Sequence, residues 1–348
     1  IAIEMATNDP PDIFMTWSAG FLEPFVDSGK VVSLSPYLED DPEWMQSFQP
    51  HMFDHLTFDS QIYAIPLSQA VVGLYYNKHI FQEAGLEPPA TFAQLEEAIK
   101  VLRHQGVVPI AMGNSFPWVG GMFAALMVNR IGGNEPYDAL VEGHGSWLDP
   151  AFVEAGHYMQ RLVELGCFPD NVNQVSYEDA FNLFVHGQAG MYLMGSWITS
   201  RLVGLESHIA EEVGVIAFPV FDDGLGTHQD WLGQSDCNLG ISTNCEDKDT
   251  AVAFLKFISS RELQMRIASE LGDLPSTNVD ISHLDVVVLS KELSALSKEK
   301  SRMFLFYDVQ FGQYLGTAYN EAISDILAGE DPQEVFNALQ TFADNQAQ

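Results

Sequence analysis

Basic residues are scarce in this chain: Lys and Arg total 15 against 48 Asp and Glu, a formal charge of −33 over 348 residues. Such a surface repels nucleic acid and anionic lipid, which excludes a DNA or RNA partner. Only 18% of residues are charged, so the imbalance reflects missing Lys as much as added acid, and a solvated acidic surface is its plainest meaning. No cluster of Arg or Lys is available to hold an anionic ligand. Long apolar runs are missing as well. No uninterrupted stretch approaches the roughly 18–20 residues of a membrane helix, so a soluble chain is expected.

Cysteine is nearly absent. Cys167, Cys237 and Cys245 match no zinc or redox spacing. Cys237 and Cys245 flank one extended-looking segment, Asn238 to Ser242, so their separation approaches about 26 Å when fully stretched. All three are expected to be unpaired, partly buried thiols. Ile1 to Asp9 show neither a basic start nor a long apolar core, so no signal peptide is visible; the chain begins abruptly, as a processed or truncated export product would.

Enzyme signatures are also missing. The chain has no G-x-G-x-x-G, phosphate loop, H-E-x-x-H or G-x-S-x-G, and no calcium-loop spacing. His51 and His55 stand four apart, but Pro50 opens the segment and Asp54 is the only acid beside them, so they read as surface histidines. Glu39-Asp40-Asp41 and Asp222-Asp223 follow from an acid-rich composition, and adjacency in sequence does not make the converging carboxyl pair a glycosidase needs. No metal, no cofactor and no catalysis are expected.

What is present is a hydrophobic content of 47%, ample for two filled cores. Thr91 with Gln94 forms a capping-box pattern ahead of Phe92, Leu95, Ile99 and Leu102 at helical spacing, and Gly106 ends that helix. Asp149-Pro150 opens another, closed by Gly166; a third starts near Ser176 and turns Tyr177, Ala180, Phe181 and Phe184 inward. Asp247 to Ser260 and Glu262 to Leu271 are predicted helices, and Gly329 with Asp331-Pro332 and Glu334 punctuates the last pair. Gly73 to Tyr76, Val107 to Met112, Ala189 to Met194 and Val213 to Phe218 read as strands, as does the short Ile13 to Met15. Their alternation with helices predicts an α/β fold with mainly parallel strands. With no low-complexity linker and no internal repeat, two lobes joined by crossing strands and a hinge are expected.

Four tryptophans sit in turns beside small polar residues: Trp17-Ser18, Asn114-Ser115-Phe116-Pro117-Trp118, Gly195-Ser196-Trp197, and Trp231-Leu232-Gly233-Gln234-Ser235-Asp236. A pyranose has apolar C–H faces and a rim of hydroxyls, so it is bound by indole faces with amides or carboxylates around them. At these residues the chain resembles the family-one extracellular solute-binding proteins, the maltodextrin-binding-like group that serves ABC importers. The likeness runs from about Met5 to about Phe342. Asp9-Pro10-Pro11-Asp12-Ile13-Phe14 resembles the family's proline-aspartate strand. Phe58 to Pro66 followed by Leu74-Tyr75-Tyr76-Asn77-Lys78 resembles its most recognisable segment. Pro88-Pro89-Ala90-Thr91-Phe92 resembles the proline-x-threonine-tryptophan helix start, with Phe92 in place of Trp. Gly187-Gln188-Ala189-Gly190-Met191 and Gly195-Ser196-Trp197 resemble the strand and turn that carry a stacking tryptophan. The family's opening strand, helix and second strand have no counterpart ahead of Asp9.

The resemblance implies a two-lobed, type II periplasmic-binding-protein-like fold with three crossovers and an interlobe cleft that closes on its ligand. It implies lobe one at 1–69 plus 235–300 and lobe two at 70–234 plus 301–348. It places Thr16 and Trp17 in a ligand-facing loop, Ser68 and Gln69 at the first crossover, Asn114 and Trp118 on lobe two, Ser196 and Trp197 at the stacking turn, and Gln234, Ser235 and Asp236 at the return crossover. The implied ligand is a small neutral carbohydrate and the implied partners are the membrane permease subunits of an ABC importer. The protein would act as an extracytoplasmic monomer, periplasmic or tethered by a lipid anchor outside this chain. Two alternatives stay open: a polyamine or similar solute, suited to the acidity, and a cleft-bearing glycosidase.

Overall fold

The computed structural model describes residues 2–6, 10–205, 211–298 and 302–346. Asp9, at the head of the proline-aspartate segment, lies outside the described residues, as do Ile1 and Lys300 at the expected lobe bounds. The chain divides into two compact units, Ile1–Val71 with Ser196–Glu206 and Gly233–Ser294, and Val72–Gly195 with Ser207–Leu232 and Ala295–Gln348. Ser196–Glu206 therefore groups with the first unit, where the sequence reading put it in the second.

The strands are β1 (Ile13–Thr16), β2 (Thr57–Phe58), β3 (Gln61–Ile62), β4 (Ser68–Asn77), β5 (Val108–Ala111), β6 (Ala189–Gly195), β7 (Val213–Ile216), β8 (Asp230–Asp236), β9 (Asn238–Ile241), β10 (Leu274–Pro275) and β11 (Arg302–Phe304). In the first unit β1 pairs antiparallel with β9, Thr16 facing Asn238. There too the start of β4 lies between the end of β8 and β10. In the second unit the rest of β4 pairs with β6 and β7, β6 with β5, and β8 with β11.

Mainly parallel pairing was the expectation, and the structure corrects it. Among the described residues only β5–β6 and β8–β11 are parallel, while β4 runs antiparallel to β6, β7, β8 and β10. β4 is the one long strand common to these antiparallel pairs: β6, β7 and β8 all run against it, and two helices, Lys78–Ala84 and Phe92–His104, lie between it and β5 without restoring its direction. β9 follows β8 after Cys237 alone, whose φ of 50° turns the chain.

The first unit is held by Phe14, Leu22, Leu34, Trp44, Leu56, Ile65, Ile241 and Leu255, all buried. Trp44 is fixed at three points: Nε1 donates to Ser259 Oγ at 2.9 Å, its backbone N–H donates to Asp41 Oδ1 at 3.1 Å, and Lys256 Nζ, itself 2.7 Å from Asp41 Oδ2, lies 5.1 Å from the ring centroid. The Lys256 hydrogen bond holds the Asp41 carboxyl below its usual range.

In the second unit the helix Trp118–Gly132 is buried on almost every side, because Pro150–Glu164 and Tyr307–Ala328 both pack on it. Gly121 makes the approach of Tyr307–Ala328 feasible, since a Cβ there would collide with Asn320 Oδ1 on that helix. Tyr307–Ala328 is two helices joined at Gly312, whose φ of 71° and ψ of −171° suit glycine. Trp147 fills the adjoining core, 2% exposed, with ring contacts to Phe152, Phe311, Tyr319 and Tyr307 at 5.2–5.9 Å.

Candidate functional site

In the first unit the register collects polar groups on one strand face. Ser68 stands opposite Asp236 and Ala70 opposite Gln234, while Pro275 stands opposite Ser68 on the other side of β4. Directly opposed residues share a face, and so do alternate residues along a strand. Extending the register one step past Leu274 brings Asp273 beside Ala70 on that same face. Gln69, Ser235 and Leu274 belong to the opposite face, and both Gln69 and Ser235 are buried. Of the four crossover residues Ser68, Gln69, Ser235 and Asp236, the strand geometry thus brings Ser68 and Asp236 together and turns the other two away.

The electrostatics agree with this placement. Burial raises the Asp273 carboxyl to about 6, with the Asp236 charge adding to the effect. Asp236 is raised as well, by burial, against a stabilising hydrogen bond from the Cys237 backbone N–H. The exposed Cys237 thiol is pushed up to about 11 by lost hydration and then by Asp236, with a Ser68 hydrogen bond opposing, so it stays protonated and is a poor nucleophile. The other two cysteines are buried, and all three are unpaired.

Two tryptophans of the first unit stand on backbone adjoining these strands. Trp17 follows β1 at the level of Cys237, is 45% exposed, and rests edge-on against Phe21 with centroids 5.3 Å apart. Thr16 is buried and its hydroxyl donates to the Trp17 carbonyl at 2.9 Å, which fixes the backbone that presents the indole. Trp197 is half-buried and opens the helix Ile198–Gly204. It is set there by Ser196, whose N–H donates to Val71 O at 2.8 Å and whose buried Oγ accepts from Val71 N at 3.2 Å. Ser196 therefore ties the β6 end to β4. Gly272 backs onto the same helix, where an added Cβ would stand 2.9 Å from Thr199 Cγ2, so Trp197 and Asp273 border one stretch of β4.

The second unit carries a separate aromatic group. Trp118, half-buried at the start of its helix, has its ring centroid 5.9 Å from that of Tyr177, and Phe116 beside it is 60% exposed. Tyr177 reads from sequence as an inward core residue, whereas Ala180, Phe181 and Phe184 are buried as expected. Its place in the first helical turn after Ser176, directed at the loop before Trp118, carries no local sequence signal.

Asn114 is fully occupied inside the unit: Nδ2 donates to Asn173 Oδ1 at 2.7 Å and Ser324 Oγ at 2.9 Å, and Oδ1 accepts from Gly120 N at 2.7 Å. It is 1% exposed and acts as a clamp on the Trp118 helix. Asn114→Ala should lower unfolding free energy by on the order of 2–4 kcal/mol, because three partners, the buried Gly120 N–H among them, lose their bond. Urea unfolding checks this, and an unchanged midpoint would refute the clamp. Trp231, grouped by sequence with the turn tryptophans, is a core residue instead, 3% exposed within β8 and paired with Met303 of β11. His51 caps Asp54 at 2.9 Å on the surface, and no metal-competent cluster occurs among the described residues.

Comparison with known proteins bears on this geometry. The family model for bacterial extracellular solute-binding proteins matches residues 1–265. The melibiose/raffinose/stachyose-binding protein of Bacillus subtilis is 24% identical over 94% of this chain and 76% of its own length. A solved structure from work on xylan utilization by the thermophilic bacterium Caldanaerobius polysaccharolyticus superposes with a TM-score of 0.91 at 27% identity, covering 98% of this chain and 87% of that one. A chitin oligosaccharide binding protein superposes with a TM-score of 0.88 at 25% identity, covering 99% and 86%. The first three curated relatives are covered over 75%, 47% and 58% of their own lengths. With more than half its length matched by the family model and its two-unit α/β fold shared with these solute-binding proteins, the chain belongs to the bacterial extracellular solute-binding protein family.

Proposed function

We propose that the chain binds a carbohydrate, a mono- or oligosaccharide, outside the cytoplasm and delivers it without catalysis to the permease of an ABC importer, acting as a monomer. The observation that carries this reading is the first unit's strand face, where Ser68, Asp236 and Asp273 share a side, with Trp17 and Trp197 on adjoining backbone of the same unit. Indoles suit the C–H faces of a pyranose and the carboxylates suit its hydroxyls. Xylan utilization and chitin oligosaccharide binding in the similar structures, and melibiose, raffinose and stachyose in the Bacillus relative, support the same ligand class. Within the second unit, Trp118 with Tyr177 is a separate aromatic pair of the kind that packs on sugar C–H faces.

A screen by thermal shift tests it. Raffinose, maltotriose, xylotriose or diacetylchitobiose at about 100 times its Kd should stabilise the protein by about 2.7 kcal/mol, a clear rise in Tm. A cationic solute is the second reading, favoured by two neighbouring carboxylates whose raised pKa values have no Lys or Arg among their causes. A rise in Tm with spermidine and with none of the sugars would replace the first reading by the second.

A further inference from the structure

We propose that Asp273 is a second carboxylate of the sugar site, acting with Asp236 to accept hydrogen bonds from neighbouring hydroxyls of one sugar ring. The proposal rests on the carbohydrate reading above. Its basis is an imbalance of donors and acceptors on the strand face. Across the short side chains of Ser68 and Ala70, the rows Asp236–Ser68–Pro275 and Gln234–Ala70–Asp273 put two carboxylates and an amide on one side of the sheet. Gln234 is 4% exposed, and its Oε1 has no hydrogen-bond partner. Asp236 accepts one backbone N–H, and no cation is among the groups that act on either carboxyl. A face rich in acceptors and poor in donors is completed by a ligand that brings O–H groups, and a carboxylate is acceptor-only when ionised. Asp273 reaches this place through the turn after Gly272, whose φ of 78° favours glycine.

The pH dependence follows from the same groups. Asp236 and Cys237 are the titratable neighbours of Asp273, and the thiol is neutral throughout the range that matters. An ionised carboxylate accepts from hydroxyls more strongly than the neutral acid, so affinity should fall as pH drops through about 6, where Asp273 takes up a proton. Binding at that pH should release protons to the buffer.

Calorimetric titrations from pH 5 to 8 with raffinose, maltotriose, xylotriose and diacetylchitobiose, on the full chain and on Asp273→Asn, test this. The parent should lose at least tenfold in affinity for its tightest sugar between the top and bottom of that range. Asp273→Asn should bind that sugar at least tenfold more weakly at the upper end and show a flattened pH profile with less proton release. Its Tm near neutrality should be unchanged or raised, because a carboxyl with a raised folded pKa favours folding only at low pH and loses that contribution as pH rises through about 6. Asp236→Asn should weaken binding of the same sugar, so a misfolded Asp273 variant does not leave the pair unexamined. Parent-like affinity and pH profile in Asp273→Asn would overturn the proposal while leaving carbohydrate binding intact. Failure of every sugar to bind the parent would overturn both.

Discussion

Trp197→Ala should weaken sugar binding by about 2–4 kcal/mol, roughly 30- to 1,000-fold, the range of a truncated aromatic anchor. The indole is half-buried at the start of the helix Ile198–Gly204, after β6 has delivered Gly195 opposite Val72. Its backbone is anchored independently of the ring, since Ser200 Oγ donates to the Trp197 carbonyl at 2.9 Å and Ser196 holds Val71 on both sides. Removing the ring should therefore leave the turn in place and cost less stability than removing a core tryptophan. Titration with the tightest-binding sugar alongside thermal melting separates the two effects. A variant that melts far below the parent yet binds normally would place Trp197 in the core and shift the site to Trp17.

Trp147→Ala should do the reverse. The ring is 2% exposed and enclosed by Phe152, Tyr307, Phe311 and Tyr319, so truncation opens a cavity that rigid aromatic neighbours cannot fill. The expected loss is about 3–5 kcal/mol of unfolding free energy. Urea unfolding should show a lower midpoint, and the protein that remains folded should bind sugar within about twofold of the parent. A parent-like midpoint would show that the surrounding rings collapse into the space.

These two tryptophans mark what the sequence reveals and what it hides. Side-chain caps are local chemistry, and they are legible: Thr91 with Gln94 forms the capping box, Asp149 and Ser176 cap their helices, and Asp331 accepts from Glu334 N at 3.0 Å. Trp17 is legible for a similar reason, because a short strand followed by Ser18 and Gly20 leaves a large ring exposed. Strand register is not local. The polar neighbours of Trp231 suggest a turn, yet β8 is covered by β4 and β11, so its polar residues are drawn inside with the indole. Gln69 and Ser235 look equivalent to Ser68 and Asp236 in sequence, and the pairing alone sends them to the other face. Asn114 shows the same limit: an amide beside an aromatic turn reads as a ligand group until Asn173 and Ser324, distant in the chain, take up its hydrogen bonds. Asp273 has no sequence signal at all, because its partner Asp236 is brought to it only by β10 and β4.

The most direct measurement is calorimetric titration of the parent protein with raffinose, maltotriose, xylotriose, diacetylchitobiose and spermidine at low and at moderate ionic strength. Recognition of hydroxyls by indoles and carboxylates involves no net ligand charge, so salt should matter little. Saturable one-to-one binding of at least one sugar is expected, with a Kd that barely changes between the two salt conditions. Heat from spermidine alone, with affinity falling steeply as salt is added, would contradict it.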